Sequence, residues 1–167
     1  MAPKTRRRAV LTAGGIALLV IVADQVSKAW AQASLQVGHE ITVIPGWLWF
    51  RLTSNSGASL GLLSGHNLLF TAVSALVVVA VAAIVLRGAL GVLGAAALGA
   101  VAGGATSNLV DRVRLGSVTD FIEVHVWPTD FNLADAAIRL GVVVFVLTLL
   151  FDRRWRSRPD RERRATS

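Results

Sequence analysis

Long apolar runs dominate the chain, and its polar positions gather between them or near one end of a run. Uncharged or nearly uncharged stretches extend from Ala9 to about Trp30, from Asn67 to Leu86, from Gly88 to about Val110 and from about Phe131 to Phe151. Each is long enough to cross a bilayer as a helix, which takes about 20 mostly apolar residues. Asp24 and Lys28 interrupt the far end of the first stretch, Asp135 and Arg139 fall in the opening turns of the fourth, and the middle two carry no charge. Between the first two stretches, Val37 to Thr53 alternates in part, with Ile41, Val43 and Ile44 before Pro45-Gly46 and Trp47 to Phe50 after it. That pattern predicts short strands around a turn, with the Trp residues at the membrane interface. The expected fold is an all-α membrane protein of four transmembrane helices with a small extracytoplasmic β element.

Composition agrees: 54% of the 167 residues are hydrophobic and 16% charged, and the mean hydropathy is +0.61. An ordinary soluble domain is roughly a quarter charged. The length suits one domain, residues 1–167, with basic tails at 1–8 and 153–167. The net charge of +7 suits either nucleic acid or a membrane surface, and its distribution decides. Lys4, Arg6, Arg7 and Arg8 precede the first run, Arg87 separates the second from the third, and seven arginines from Arg153 to Arg164 follow the fourth. Lys/Arg-rich short flanks stay on the cytoplasmic side. Both termini and the Arg87 turn are therefore expected in the cytoplasm, with 31–66 and 111–130 outside and no nucleic-acid partner. Arg6 to Arg8 before an apolar run also fits a cleaved secretory signal, but Asp24 and Lys28 stand where a cleavage region would be.

With no cysteine and three scattered histidines, thiol chemistry is excluded, and neither a metal nor a cofactor is expected. Ionisable groups at membrane depth are costly and are functional candidates. Asp24 and Lys28, then Asn108, Asp111 and Arg112, then Asp120 and Asp135 all fall at the expected outer ends of the spans, so a bundle gathers them into one polar site. Asp24 and Lys28 are one helical turn apart and can pair; an ion pair anchoring a helix end accounts for them as well as a functional role does. Asn55 to Gly61 is small and polar, suited to a tight turn, and Gly103-Gly104-Ala105 permits close helix approach. Asp120, among Val118, Thr119, Phe121 and Ile122, and Asp135, opening a span, are unusual places for plain solvated charges. Two such carboxyls in one desolvated site share a proton, so one activates water while the other protonates a leaving group.

Asp24-Gln25-Val26-Ser27-Lys28, Asn55 to Gly61, Gly103 to Arg112, Val118 to Ile122 and Phe131 to Ile138, in this order among four spans, resemble the five motif regions of the lipoprotein signal peptidases (signal peptidase II). The resemblance implies an intramembrane aspartic endopeptidase of the bacterial inner membrane, its site near the extracytoplasmic face. Such an enzyme removes the signal peptide of a diacylglyceryl-modified prolipoprotein by cleaving before the lipidated cysteine. It implies Asp120 and Asp135 as the catalytic pair. Asp24, Lys28, Asn55, Gly57, Gly104, Asn108, Asp111, Arg112, Asn132 and Ala134 match supporting or substrate-binding positions. The implied partners are the signal-peptide helix with its diacylglyceryl-cysteine and membrane lipids, and the chain is expected to act as a monomer. Ser107 and Ala136 depart from the family's usual glycine and serine, and Arg139 adds a charge one turn past Asp135.

Two other classes are weaker. A proton-coupled carrier needs polar groups near the midplane and usually repeats or broken helices, which the sequence lacks. A serine enzyme built on Ser27 with Lys28 fails because adjacent helical residues point about 100° apart; Ser64 near His66 is the other serine candidate. The neighbours Asp111 and Arg112 likewise face different ways, so Asp111 is expected in structural contacts with Lys28 or Arg114 and Arg112 toward the cavity.

Overall fold

The computed structural model describes residues 3–57, 66–87, 90–127 and 129–151. Helix α1 is Pro3–Ser34, strands β1 and β2 are Glu40–Ile44 and Leu48–Asn55, α2 is Asn67–Arg87, α3 is Val92–Leu115, β3 is Val118–Val124 and α4 is Leu133–Phe151. All four helices are long and apolar enough to span a membrane. All of the second tail, Ser64 and residues 58–61 of the small polar turn lie outside the described residues.

Helix α1 and the end of α3 run further than the charge pattern predicted, while α3 and α4 begin later than expected, at Val92 and Leu133. α1 continues to Ser34 and α3 to Leu115, so Asp24, Lys28, Asp111 and Arg112 lie within helices rather than closing them. For Asp24, Lys28 and Asp111 the reason is pairing: once their charges are met inside the bundle, they no longer mark the helix ends. α3 stops at Gly116, whose φ of 74° is in the left-handed region and whose N–H donates to Arg112 O, a cap that glycine adopts without the Cβ penalty.

α3 is the central helix and packs against the other three, while α2 and α4 stand on either side of it with no comparable packing between them. Its composition explains this, because alanines and glycines let backbones approach closely where apolar burial gives no drive in lipid. A Cβ on Gly99 would lie 2.5 Å from Ala13 O on α1, and one on Gly104 would lie 2.5 Å from Ala134 O and 2.7 Å from Ile138 Cγ1 on α4. The outward faces carry the large apolar side chains, such as Leu18 at 62% exposure and Leu140 at 66%. Inside, an apolar cluster of Ala13, Val81, Val85, Leu98 and Val101 is accompanied by buried polar groups: Asp24, Ser107 and Asn132 have no exposure, Asp120 has 1% and Lys28 2%. The exposed leucines suit a lipid surround, where they are already in their solvent.

Gly104 gives a test. Ala134 immediately precedes Asp135, one of the two aspartates expected to be catalytic, so Gly104→Ala must push the start of α4 away, and if Asp135 takes part in the reaction a displacement near 1 Å there costs on the order of 10²-fold in rate. Gly94→Ala is the control, since its nearest contact is an ordinary 3.6 Å to Thr148 Oγ1. The expected result is a large fall in turnover for Gly104→Ala and near-normal turnover for Gly94→Ala, measured on detergent-purified protein.

The three strands form one antiparallel sheet in the order β1-β2-β3. The hairpin predicted around Pro45-Gly46 is present, with Gly46 at φ 75°. β3 was not predicted. Phe50 pairs with Ile122, but Thr53 pairs with Asp120, so β2 contains an irregularity between them. A bulge of this kind bends a strand and re-aims its side chains, here leaving Asn55 diagonal to Asp120. On the opposite face, Phe121 packs with Ala31 of the extended α1, with Leu35 just past its end and with Phe50. An isolated bridge, Ile122 with Phe131, returns the chain so that Asn132 falls beside Asp120.

Candidate active site

The site starts from the first turn of α4. Asn132 Oδ1 accepts from Asp135 N at 2.9 Å, the usual side-chain cap to the third residue of a helix. The Ala134 N–H, also without an intrahelical acceptor, donates to Asp24 Oδ1 on α1 at 2.8 Å. A carboxylate there also meets the positive end of the helix dipole. The beginning of α4 is thus set partly by a residue 110 positions earlier.

Asp24 is held in turn. Its Oδ2 accepts from Lys28 Nζ and Ser107 Oγ, both at 2.7 Å. Lys28 Nζ donates to Asp111 Oδ2 and Asn108 Oδ1, both at 2.9 Å, as well as to Asp24, so its three N–H groups are all used. Asp111 also accepts from Gln25 Nε2 at 2.9 Å and from Thr119 N at 3.1 Å. The expected tie of Asp111 to Lys28 is present, and Arg114 takes no part. The Asp24–Lys28 pair is buried inside the bundle, not an anchor at a helix end. Gln25 and Thr119 were not singled out from the sequence; Gln25 sits within the first motif, but nothing in its type marked it. Ser107, a departure from the usual glycine, adds a donor to Asp24, whereas nothing in the structure explains Ala136.

Two amides carry this network to the carboxyls. Asn108, its Oδ1 engaged by Lys28, donates through Nδ2 to Asp135 Oδ1 at 2.8 Å. Asn132 Nδ2 donates to Asp120 Oδ1 at 2.6 Å while its Oδ1 caps Asp135, so one side chain joins the two aspartates. Asn55 Nδ2 donates to Asp120 Oδ2 at 3.0 Å, and its Oδ1 accepts from Gly57 N at 3.1 Å. Burial first, then the nearby charge of Asp135, push the Asp120 carboxyl up to about 7, against the opposing hydrogen bonds of Asn55 and Asn132.

A cavity of about 180 Å³ opens here, lined by Asn55, Gly57, Phe70, Asn108, Arg112, Val118, Asp135 and Arg139. Arg112 faces it, as expected: its guanidinium lies 5.4 Å from the Phe70 ring centroid, and Nη2 reaches Gly57 O at 3.4 Å. Its Nε and Nη1 are buried with no acceptor among the described residues. Arg139 lies over the rings of Trp127 and Phe131 at 4.7 and 5.4 Å. A larger hollow of about 310 Å³, beside Lys4, Arg8 and Leu90 to Val92, contains no carboxylate and lies toward the start of α1, far along that helix from Asp24.

Four apolar spanning helices around a buried acidic and amide network, with Asp135 lining a small cavity and Asp120 joined to it through Asn132, define a multi-pass membrane hydrolase of the aspartic type. The family profile described as signal peptidase (SPase) II matches residues 16–151, and the chain belongs to that family of peptidases. Relatives include the lipoprotein signal peptidases of Syntrophomonas wolfei, 38% identical over 83% of this chain and 92% of that protein, and of Pelotomaculum thermopropionicum, 38% identical over 88% and 97%. Among solved structures, a bacterial membrane enzyme determined by the in meso method at 2.3 Å resolution superposes with a TM-score of 0.77 at 30% identity, covering 84% of this chain and 88% of that one. A second, at 1.9 Å, gives 0.76 at 31% identity, covering 84% and 94%.

Proposed function

We propose that this chain removes signal peptides from diacylglyceryl-modified prolipoproteins by cleaving before the lipidated cysteine, with Asp120 and Asp135 as the catalytic pair. The observation that carries this reading is Asn132, which donates to one aspartate and caps the backbone of the other beside a cavity faced by an Arg with unused donors. Residues 1–167 act as one domain and as a monomer in the bacterial inner membrane, with both termini cytoplasmic and the site near the outer face.

In the reaction, the ionised carboxyl takes a proton from a water held between the pair as its oxygen bonds to the scissile carbonyl carbon. The protonated carboxyl gives its proton to the carbonyl oxygen. Collapse of the tetrahedral intermediate breaks the C–N bond as the amine nitrogen is protonated, leaving a new carboxyl and a free amine. The peptide enters extended, since a helix hides its carbonyls in its own ladder, and Asn55, Asn108, Asn132 and Arg112 hold its backbone. Arg is suited to this because its planar fork binds carbonyl and carboxyl oxygens.

Incubation of detergent-solubilised protein with lipidated and unlipidated precursor tests the reading: the mature form is expected from the first alone, and equal cleavage of both would sink it. The pH profile gives a second check. One carboxyl must hold a proton and one must not, so the rate is expected to be bell-shaped. With Asp120 raised to about 7, the alkaline limb falls near neutral pH as that proton is lost. Asn55 favours the ionised form, so Asn55→Ala moves the alkaline limb to higher pH; a shift to lower pH contradicts the assignment.

A further inference from the structure

We infer that Arg139 holds the ester carbonyls of the lipid on the substrate cysteine, which makes it a specificity residue for the acyl linkage. The inference rests on the proposed function above and concerns one side chain of the same cavity. Arg139 lies one turn past Asp135 on the same face of α4, roughly 6 Å along the helix axis, and both line the cavity. Its guanidinium is held by the Trp127 and Phe131 rings, and no hydrogen bond or ion pair meets it among the described residues. A guanidinium lying over aromatic faces keeps its edge N–H groups free to donate in their plane.

The surroundings select the kind of acceptor. Trp127 is 44% exposed, and Leu140 and Val143, next along α4, are 66% and 55% exposed on the lipid side. Phe70 on α2, Arg112 on α3 and Arg139 on α4 all line the cavity, and among the described residues α2 and α4 share little packing. On this inference the cavity opens toward lipid between α2 and α4, with Arg139 at the α4 lip. A peptide between Asp120 and Asp135 meets Arg112. The glyceryl group on its cysteine sulfur, whose nearer ester carbonyl oxygen is roughly eight bonds from the scissile nitrogen, reaches toward the lip, where Arg139 offers donors in a setting poor in competing water.

The test uses one precursor peptide bearing either a diacylglyceryl group, with ester carbonyls, or a dialkylglyceryl group, in which ether oxygens replace the esters. Wild-type protein is expected to favour the ester form by about tenfold in kcat/KM, mostly through KM, as for a hydrogen bond from a charged donor. Arg139→Leu is expected to bring the ester-to-ether ratio of kcat/KM to near one, over and above any loss common to both forms from removing a cation one turn from Asp135. The wild-type preference is itself a readout should that variant not fold. An equal rate for both lipids in wild type, or an equal loss on both in Arg139→Leu, overturns the inference. So does a variant that instead loses discrimination between Asp and Asn placed after the cysteine, since Arg139 then reads the peptide. Wild type that cleaves neither lipidated form is a different failure and removes the proposed function itself.

Discussion

Asp120→Asn and Asp135→Asn are each expected to bring cleavage of lipidated precursor below detection while the protein accumulates normally in the membrane. A single acid or base group contributes roughly 10² to 10⁴-fold, and an amide at either position can neither take the water's proton nor give one to the carbonyl. For Asp120 the loss should separate cleanly from stability. A carboxyl whose pKa is raised on folding binds its proton more tightly in the folded state, so its contribution is complete below the ordinary value near 3.8 and is lost as pH rises through about 7. A neutral Asn escapes that loss, so at pH 8 the melting midpoint of Asp120→Asn should not fall on this account. One amide contact with Asn55 or Asn132 must reorient, which is a small cost beside the removal of a buried charge. Retention of more than a tenth of wild-type turnover by either variant would rule out the dyad.

Lys28→Met should act in the opposite sense, on folding first and on chemistry through it. Met approximates the length and volume of the lysine stem, so packing is largely kept, but Asp24 and Asp111 lose the cation between them and Asn108 loses the donor that fixes its orientation. Leaving a buried charge unpaired costs about 3 to 5 kcal/mol, a large share of the stability of any domain. The expected outcome is a strongly lowered thermal midpoint in detergent, rapid loss to added protease and no cleavage. Combining Lys28→Met with Asp111→Asn removes one of the two stranded charges and should recover part of the midpoint. A single variant as stable as wild type would show that the lysine is dispensable to the network.

The four spans and the β hairpin were legible because lipid demands long apolar helices and because Pro45-Gly46 punctuates an alternating run. The polar residues of the site were legible as anomalies, charges where membrane depth makes charge expensive. What stayed hidden depends on tertiary contacts. β3 is short and lies between two helices, and the carboxylate of Asp120 in its middle breaks the hydrophobic signal that a strand would give; only its pairing with Asn55 and Phe50 across β2 makes it one. The reach of α1 to Ser34 depends on Phe121 packing against Ala31 and Leu35. Arg51 and Asp130, which bond at 3.1 Å and tie the hairpin to the segment entering α4, look like ordinary surface charges until both strands and the loop are in place. The contact between Asp24 and the amide of Ala134 has no sequence signature, since one partner is backbone.

That last contact bears on how the chain assembles. The first span is made before the third and fourth, so Asp24 and Lys28 are committed to the bilayer before most of their partners exist. Their spacing of one turn lets an isolated α1 enter as an internally neutralised zwitterion rather than as two separate charges. α3 then brings Asn108, Ser107 and Asp111, and the remaining oxygen of Asp24 receives its donor only when α4 docks. A chain that stops short of α4 is left with one oxygen of the Asp24 carboxylate lacking a donor, so the residue that fixes the start of the last helix also makes the completed bundle the first state in which every oxygen of that carboxylate is met.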